Sequence, residues 1–329
     1  EFVHPVIVGK RALPALALTA DGGPLGAQLD LAAEPDDIVM AFDAEAEVVP
    51  AARARGCLTI AFTECGAEWE LPPPDPAPFV AQELIETLYH VLWELGHVFF
   101  EHRGLLEGRR AGPVHDAGAS SFLYPFLGER EDDLETVVAD VRRSVLVKAH
   151  EVAVLRERTV REGAGALAAG AVALRRRLDG GGRLLALGNG GSATDAMDVV
   201  ADFRVPPHTA WPPRRALDLT EDPAVLTAIA NDIGPEAIFA RQVIAHGRPG
   251  DALLALSTSG NSGNVIAALA EARRRGLLTL AFVGYDGGRV AAEGLADHVV
   301  VTPSEHIPRI QEAQATAYHV LRELVETAP

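Results

Sequence analysis

The chain contains 329 residues, enough for two domains, and 48% of them are hydrophobic, so a packed core is expected and global disorder is excluded. Asp and Glu number 46 against 29 Lys and Arg, which gives a formal net charge of −17. Such an acidic chain is a poor non-specific partner for nucleic acid or an anionic membrane, so we expect neither partner.

The sequence also lacks the usual signs of a membrane or secreted protein. No apolar run reaches the roughly 18 residues that a membrane span needs, and no secretory signal is visible. The two cysteines, Cys57 and Cys65, cannot form a disulfide framework. We therefore predict a cytoplasmic protein.

The elements of the first third recur near the end of the chain. A helix pattern at residues 82–95, QELIETLYHVLWEL, matches QEAQATAYHVLREL at residues 311–324 at nine of fourteen positions. Upstream, ARARGCLTIAF ending at Phe62 resembles ARRRGLLTLAF ending at Phe282, and a shorter match, ALALTAD with ALDLTED, precedes both. Three matches in the same order indicate an internal duplication.

The two copies are unequal. The second carries an additional segment at its front, including RLLALGNGGSATDAMDVVADF, and has DALLALSTSGNSGNV where the first has only DDIVMAFDAEAEVV. A stretch rich in Gly, Pro and Ser separates the copies. We predict a degenerate domain at residues 1–107, a linker at 108–133 and a complete domain at 134–329.

The complete copy alternates short apolar runs with helix patterns. The predicted strands are RLLALG, RRALDL, DALLALS, LLTLAFV and DHVVVT. Two helix patterns, LETVVADVRRSVLVKAHEVAVLRE and AGALAAGAVALRRRLDGG, precede the first strand, and the glycines at 180–182 are expected to stop the second. A later helix pattern, NVIAALAEARRRG, ends at Gly276, and the last helix is expected from about Pro308 to Glu326. Strands separated by helices indicate an α/β fold with a doubly wound parallel sheet, in which ligands bind beyond the C-terminal strand ends.

Two loops that each follow a predicted strand and open a helix are rich in small polar residues. In GNGGSATD, Gly190 and Gly191 let backbone N–H groups turn toward a ligand, and Ser192 adds a hydroxyl beside the helix N-terminus. The second loop, STSGNS at residues 257–262, offers further short donors. Together they suit a phosphate, even in an acidic protein.

Two other interpretations of these loops stay open. Gly, Ser and Asn are common in ordinary strand-to-helix turns. Alternatively, Gly188-x-Gly190-x-x-Ala193 fits a loose dinucleotide fingerprint, in which Asp218 at the end of the next strand would hold a ribose. That fingerprint leaves the serine-rich loop without a role, and we expect no nucleotide cofactor.

The segments LLALGNGGSATDA, LTAIANDIG, FARQV, GRPGDALLALSTSGNS and RIQEAQATAYHVLRELVE resemble a sugar isomerase (SIS) domain. More narrowly, they resemble the phosphoheptose isomerase family over roughly residues 134–329. The first third resembles a degenerate second SIS copy, which is not the family's usual arrangement. The resemblance implies a SIS fold, a ketose–aldose isomerisation of sedoheptulose 7-phosphate, a homotetramer and often a bound zinc ion.

The resemblance also implies roles for individual residues. Phosphate contacts fall by motif position on Ser192, Ser257, Thr258, Ser259 and Ser262, beside the backbone of Gly190 and Gly191. Asn189, Asn231 and Asp232 would line the sugar.

The sequence departs from the family on the helix after the glycine loop. Where the family carries a His and, four residues later, a catalytic Glu, this chain has Asp198 and Asp202, which the i, i+4 spacing puts on one helical face. Replacing Glu by Asp shortens the side chain, and a base displaced by about 1 Å can lose on the order of a hundredfold in rate. Zinc accepts an oxygen ligand in place of a nitrogen ligand. We expect Asp202 to be the base and both carboxylates to be candidate metal ligands.

The family's Gln and His are present on the last helix as Gln311 and His319. Eight residues of helix separate them by about 12 Å, too far for one metal ion or sugar carbon to contact both easily. The degenerate copy kept the matching Gln82 and His90 although it has no phosphate loops. We therefore predict a composite site, in which His319 or His90 is the acid–base group and all four residues are candidate zinc ligands. The alternative is that Gln82 and His90 only pack.

These observations predict a fused pair of SIS domains, one degenerate and one complete, that isomerises a sugar phosphate. Two chains would form a homodimer with the four SIS domains of the family's tetramer. The alternative is a non-catalytic SIS protein that binds a sugar phosphate or a protein partner, which the aspartates at positions 198 and 202 favour.

Overall fold

The computed structural model describes residues 2–3, 12–42, 48–101 and 134–327. The chain divides into two compact units, Glu1–Val141 and Arg142–Pro329. The predicted linker at residues 108–133 lies outside the described residues.

The first unit contains a small parallel sheet with helices. Its helices are α1 (Leu25–Ala32), α2 (Val48–Ala54) and α3 (Pro78–Glu101), and its strands are β1 (Ile38–Ala41), β2 (Leu58–Ala61) and β3 (Trp69–Glu70). The strands are parallel in the order β1-β2-β3, and Ala41 pairs with Ala61. Strand β2 alternates half-buried and buried residues, which is typical of a strand with one well-covered face.

The second unit carries a sheet of five parallel strands in the order β5-β4-β6-β7-β8. The strands are β4 (Leu184–Leu187), β5 (Ala216–Asp218), β6 (Ala252–Ser257), β7 (Leu278–Gly284) and β8 (His298–Thr302). The helices are α4 (Leu134–Asp179), which begins before the division between the units, α5 (Gly191–Arg204), α6 (Pro223–Asp232), α7 (Ile238–His246), α8 (Gly263–Arg274), α9 (Gly288–Ala292) and α10 (Ile307–Thr327). All five predicted strands are present.

This sheet is buried on both faces, which confirms the predicted doubly wound α/β class. Leu184 and Ala186 lie in one apolar cluster with residues of α4, α5 and α10, whereas Leu185 and Leu187 lie in a second cluster with residues of α7 and α8. Successive residues of a strand point to opposite faces, so two clusters are the expected result. Every residue of β6 and β7 is buried, as parallel sheets covered by helices require.

One expectation about the helices is wrong. The two helix patterns before β4 form a single helix, α4, of 46 residues, in place of two separate helices. Gly163 and Gly165 lie inside it without breaking it. A Cβ on Gly163 would lie 2.9 Å from Val300 Cγ1, so this glycine lets the helix approach β8 closely, which offsets its poor helix propensity. The helix ends at Asp179 before the glycine run, as predicted.

No helix within the described ranges is long and apolar enough to cross a bilayer.

Candidate active site

The strand order creates a crevice at one edge of the large sheet. From β4 the chain runs outward to β5 on one side and then returns to β6 on the other side. The loops after β4 and β6 therefore emerge side by side at the carboxyl ends of neighbouring strands, the usual ligand position in an open α/β sheet. They are the glycine loop (Gly188–Gly191) and the serine loop (Ser257–Ser262) of the sequence prediction.

Two asparagines hold these loops together. The side-chain amide of Asn189 donates to Asn264 Oδ1 at 2.9 Å, and the amide of Asn264 donates back to Asn189 Oδ1 at 2.9 Å. Asn264 lies in the first turn of α8, directly after the serine loop. Sequence reasoning missed Asn264, although an amide-bearing residue at a helix start facing a second loop is a plausible signal.

Two of the three glycines in the glycine loop have no room for a side chain. A Cβ on Gly188 would lie 2.1 Å from Ser192 O, and a Cβ on Gly191 would lie 1.8 Å from Gln311 Nε2. Gly190 has φ +56°, in the left-handed region that favours glycine. Helix α5 starts directly after this turn, so its first N–H groups point toward the crevice.

The serine loop uses part of its polar groups to fix its own shape. Ser257 Oγ accepts from the N–H of Gly260 at 3.1 Å, and Ser259 Oγ accepts from the N–H of Asn261 at 3.2 Å. Each hydroxyl keeps its own proton to donate to an acceptor such as phosphate. Ser262 stands at the N-cap of α8, and its side chain caps no backbone amide. The loop thus presents hydroxyls and a helix N-terminus to one region.

The structure brings two of the predicted catalytic residues together. Asp202 Oδ2, on the last turn of α5, lies 3.8 Å from His319 Nε2 on α10. No described residue donates a hydrogen bond to Asp202 Oδ2. Burial raises the pKa of Asp202 to about 6, and Asp198 pushes it in the same direction, while His319 and Arg322 oppose the rise. A carboxylate with this pKa can accept and release a proton near neutral pH.

Gln311 and His319 contact opposite ends of α5, as their spacing suggests. The amide of Gln311 lies against Gly191 in the first turn, whereas His319 lies beside Asp202 in the last turn. Asp198 lies between them on α5 and is close enough to Asp202 to act on its charge.

Three other predicted residues of the second unit make their hydrogen bonds elsewhere. Asn231 and Asp232 are exposed at the end of α6, where the Asn231 amide donates to Asp232 Oδ1 at 2.8 Å. No hydrogen bond between described residues joins them to either loop. Asp218 accepts from the N–H and the hydroxyl of Thr220, each at 2.7 Å, so it caps its own turn. Gln82 and His90 lie on α3 of the first unit, with His90 4% exposed.

The donor set for zinc is incomplete among the described residues. No group of three or more His, Cys, Asp and Glu side chains there is spaced to hold a metal ion. Asp202 and His319 supply two donors, whereas a zinc ion is held by three or four. We derive no catalytic step through a metal.

An arginine that sequence reasoning missed lies directly behind the pair. Arg322 on α10 is 1% exposed, and its Nε donates to the backbone oxygen of Asp202 at 3.1 Å. The signal in the sequence was a basic residue three positions after His319, on the face that the helix buries.

Comparisons with known proteins agree with this architecture. The family model of the SIS domain matches residues 149–284. The phosphoheptose isomerase of Thermodesulfovibrio yellowstonii is 43% identical over 180 residues, which cover 54% of this chain and 89% of that protein. That of Nitratidesulfovibrio vulgaris is 41% identical over 187 residues, covering 57% of this chain and 89% of that protein.

A solved structure gives the same result. The phosphoheptose isomerase of Neisseria gonorrhoeae superposes with a TM-score of 0.53 at 32% identity, covering 57% of this chain and 100% of that chain. The doubly wound sheet with two small-residue loops at its crevice therefore defines a SIS domain in the second unit. Because relatives of this identity are matched over nearly their whole length, the chain belongs to the phosphoheptose isomerase family.

Proposed function

We propose that the protein is a sugar-phosphate isomerase that converts sedoheptulose 7-phosphate to the aldose heptose 7-phosphate. The observation that carries the proposal is the pairing of Asp202, which lies on the helix that begins in the glycine loop, with the buried His319 of α10. Family membership supports the same reaction and substrate class.

The reaction moves a proton between neighbouring carbons. Asp202 removes a proton from C1 of the ketose, the electron pair forms the enediol, and the proton returns to C2, while the oxygen at C2 gains and the oxygen at C1 loses a proton. His319, beside Asp202, would transfer the proton between the oxygens. This assignment needs no redox partner, because the reaction is an internal redistribution of hydrogen.

The phosphate end of the substrate would bind at the two loops. Ser192, Ser257, Thr258, Ser259 and Ser262 are the proposed phosphate contacts, with the backbone of Gly190 and Gly191 and the helix N-termini. These loops lie at the first turn of α5 and Asp202 at its last turn. The phosphate and the reacting carbons must therefore sit at opposite ends of the substrate, as in a sugar that carries phosphate on C7 and reacts at C1 and C2.

The short base is the main departure from the family pattern. Asp202 reaches less far than a glutamate, but its buried position raises its pKa to about 6, which suits proton abstraction at neutral pH. The raised pKa of Asp202 and its position 3.8 Å from His319 support an active enzyme over a non-catalytic sugar-phosphate binder, because perturbed titratable groups cluster at functional sites.

Several finer features stay predictions. Asn189, Asn231 and Asp232 would line the sugar, and at least one of Gln82 and His90 would complete the site from the degenerate copy. A zinc ion would be held by some of the candidate ligands Asp198, Asp202, Gln311, His319, Gln82 and His90, since Gln311 and His319 contact opposite ends of α5. A homodimer and a cytoplasmic location also stay predictions. Metal analysis after purification without chelators, together with light scattering, tests the zinc ion and the dimer.

The direct test is incubation of the full chain with sedoheptulose 7-phosphate in deuterium oxide, followed by NMR. We expect the aldose product and deuterium at C2 of it. A chain that binds the sugar phosphate in calorimetry but forms no aldose and exchanges no deuterium is a binding protein. A chain that neither binds nor reacts has another function.

A further inference from the structure

Asp202, on which the proposed chemistry depends, lies in the last turn of α5. The backbone oxygen of Asp202 would normally accept from the N–H four positions later, but that residue is Pro206, which has no N–H. The neighbouring oxygens are satisfied by the backbone: Val205 N–H donates to Ala201 O at 2.7 Å, and Arg214 N–H donates to Phe203 O at 2.6 Å. The oxygen of Asp202 therefore needs a donor from elsewhere.

Arg322 supplies that donor from α10. Its Nε donates to Asp202 O at 3.1 Å, and its guanidinium carbon lies 4.6 Å from the ring centre of Phe203 and 4.8 Å from that of Trp211. A planar guanidinium between two aromatic rings has little freedom to rotate. Its positive charge also suits the negative end of the α5 dipole.

The other end of the guanidinium is fixed by an ion pair with a carboxylate of α10. Arg322 Nη1 bonds Glu326 one turn further along α10, and Arg214 holds both oxygens of Glu326 at 3.1 and 3.0 Å. Arg214 is also the residue whose backbone caps Phe203 O. Both arginines thus converge on the last turn of α5 and on one carboxylate of α10.

The hydrogen bonds of Arg322 and Arg214 join α5 and α10 close to Asp202 and His319. Arg322 lies three residues after His319, so both side chains emerge from one face of α10. One holds the backbone of Asp202 and the other faces its carboxylate at 3.8 Å. We propose that Arg322 is a positioning residue, which fixes the last turn of α5 against α10 so that Asp202 and His319 stay in register for proton transfer. This role rests on the proposed isomerase function.

The first copy offers a natural contrast at this position. In the repeated helix α3, Trp93 stands where α10 has Arg322, and it is fully buried. An apolar residue is therefore compatible with burial in such a helix. Burial alone does not explain an arginine in α10.

The test uses two double variants that differ only in the donor. Arg322→Gln keeps an N–H donor at the same number of bonds from the backbone as Nε, whereas Arg322→Met keeps the apolar stem and removes the donor. Each is combined with Glu326→Gln, so that the charge of Glu326 is the same in both variants and in the background, while Arg214 keeps a side-chain oxygen at position 326 as acceptor. The background is the single Glu326→Gln variant.

We expect the Arg322→Met double variant to lose roughly 10- to 100-fold in kcat, because a small displacement of a base is costly. Its KM should change less than about threefold, since the phosphate loops lie at the other end of α5. The Arg322→Gln double variant should recover most of the kcat. Val325→Ala, a buried truncation on the same helix, is the control for general destabilisation: its Tm should fall without a selective loss of kcat.

Three results would overturn the role. They are a kcat of the Met variant within twofold of the background, equal losses in the Gln and Met variants, and a loss of kcat that disappears once the rate is divided by the concentration of folded enzyme. Wild-type protein without turnover overturns the proposed function, and the positioning role with it. Wild-type turnover with an unaffected Met variant overturns the positioning role alone.

Discussion

The two units share an order of strands and helices but differ in how far the strands are buried and in the loops that follow them. In the first, β1, α2, β2, β3 and α3 follow one another in the order that β6, α8, β7, β8 and α10 take in the second, except that the second has α9 between β7 and β8. Both sets of three strands are parallel and adjacent. The common order agrees with the proposed duplication, which remains a hypothesis.

The strands of the first unit are far less buried than their counterparts. Ile38 at the start of β1 is 55% exposed and Trp69 on β3 is 59% exposed, whereas every residue of β6 and β7 is buried. A parallel sheet gains most of its stability when helices cover both faces. The second unit has the additional helices and strands that do so.

The loops after the equivalent strands differ in charge. Where the second unit has STSGNS after β6, the first has Asp43-Ala-Glu-Ala-Glu47 after β1 and Phe42. Residues 43–47 lie outside the described residues, but three carboxylates in five positions would repel a phosphate. The sequence of the first unit thus lacks the serine loop that the second unit has after β6.

The largest effect is expected at the proposed catalytic base, which lies in the second unit. Asp202→Asn removes the proposed base of the second unit, so turnover and deuterium exchange at C2 should fall about 10²- to 10⁴-fold. Asp198→Asn, one turn earlier on the same face, tests the proposed metal ligand: a comparable loss would support that role, and a much smaller loss would leave Asp202 as the residue that matters. Deuterium incorporation at the wild-type rate in Asp202→Asn would remove this residue from the proton transfer.

The next experiment compares the repeated helices directly. His319→Ala should lower kcat by about 10²- to 10⁴-fold, because His319 faces Asp202. If the degenerate copy completes the site, His90→Ala or Gln82→Ala should also lower kcat, with little change in Tm. Gln311→Ala serves as the partner of Gln82→Ala. Full activity in both first-copy variants would make that copy a scaffold only.

A smaller effect is expected from the serine loop, which the first unit lacks. Ser259→Ala with Ser262→Ala removes two hydroxyl donors to a charged group, each worth about 1.5–3 kcal/mol, so affinity for the sugar phosphate should fall roughly 10²-fold or more. The control is Thr227→Ala on α6, whose hydroxyl bonds its own helix. Unchanged affinity in calorimetry would exclude the loop from phosphate binding.

The smallest effect concerns pH. Because Asp202 must be ionised to act as a base and has a pKa of about 6, kcat should fall tenfold per pH unit below about pH 6. The folded state binds this proton more tightly than the unfolded state, so the carboxyl stabilises the fold at low pH and this contribution is lost as pH rises through about 6.

Asp202→Asn should therefore raise Tm at pH 8 by a few degrees, while the wild type and the variant should converge near pH 4. A variant that is inactive and less stable at pH 8 would mean that the aspartate is a structural residue.

The sequence by itself determined the strands, the helix pattern and the two loops of the second unit. Gly190 and Gly191 were predictable because a glycine-rich turn between a strand and a helix is a local signal. The structure adds that Gly190 has a positive φ and that Gly191 has no room for a Cβ beside Gln311. The resemblance carried by these motifs gave the family. The exact extent of α4 was not predictable, because Gly163 is tolerated only through its contact with Val300 in a distant strand.

Only the tertiary structure decided which polar residues meet. Asp202 and His319 are more than a hundred residues apart in sequence, and their 3.8 Å separation depends on how α5 and α10 pack along each other. The raised pKa of Asp202 follows from its burial, and burial cannot be read from the identity of a single residue. In the sequence, Arg322 is one more basic residue on a helix. Only the packing shows that its guanidinium lies against two aromatic rings and donates to the backbone oxygen that Pro206 leaves without a donor.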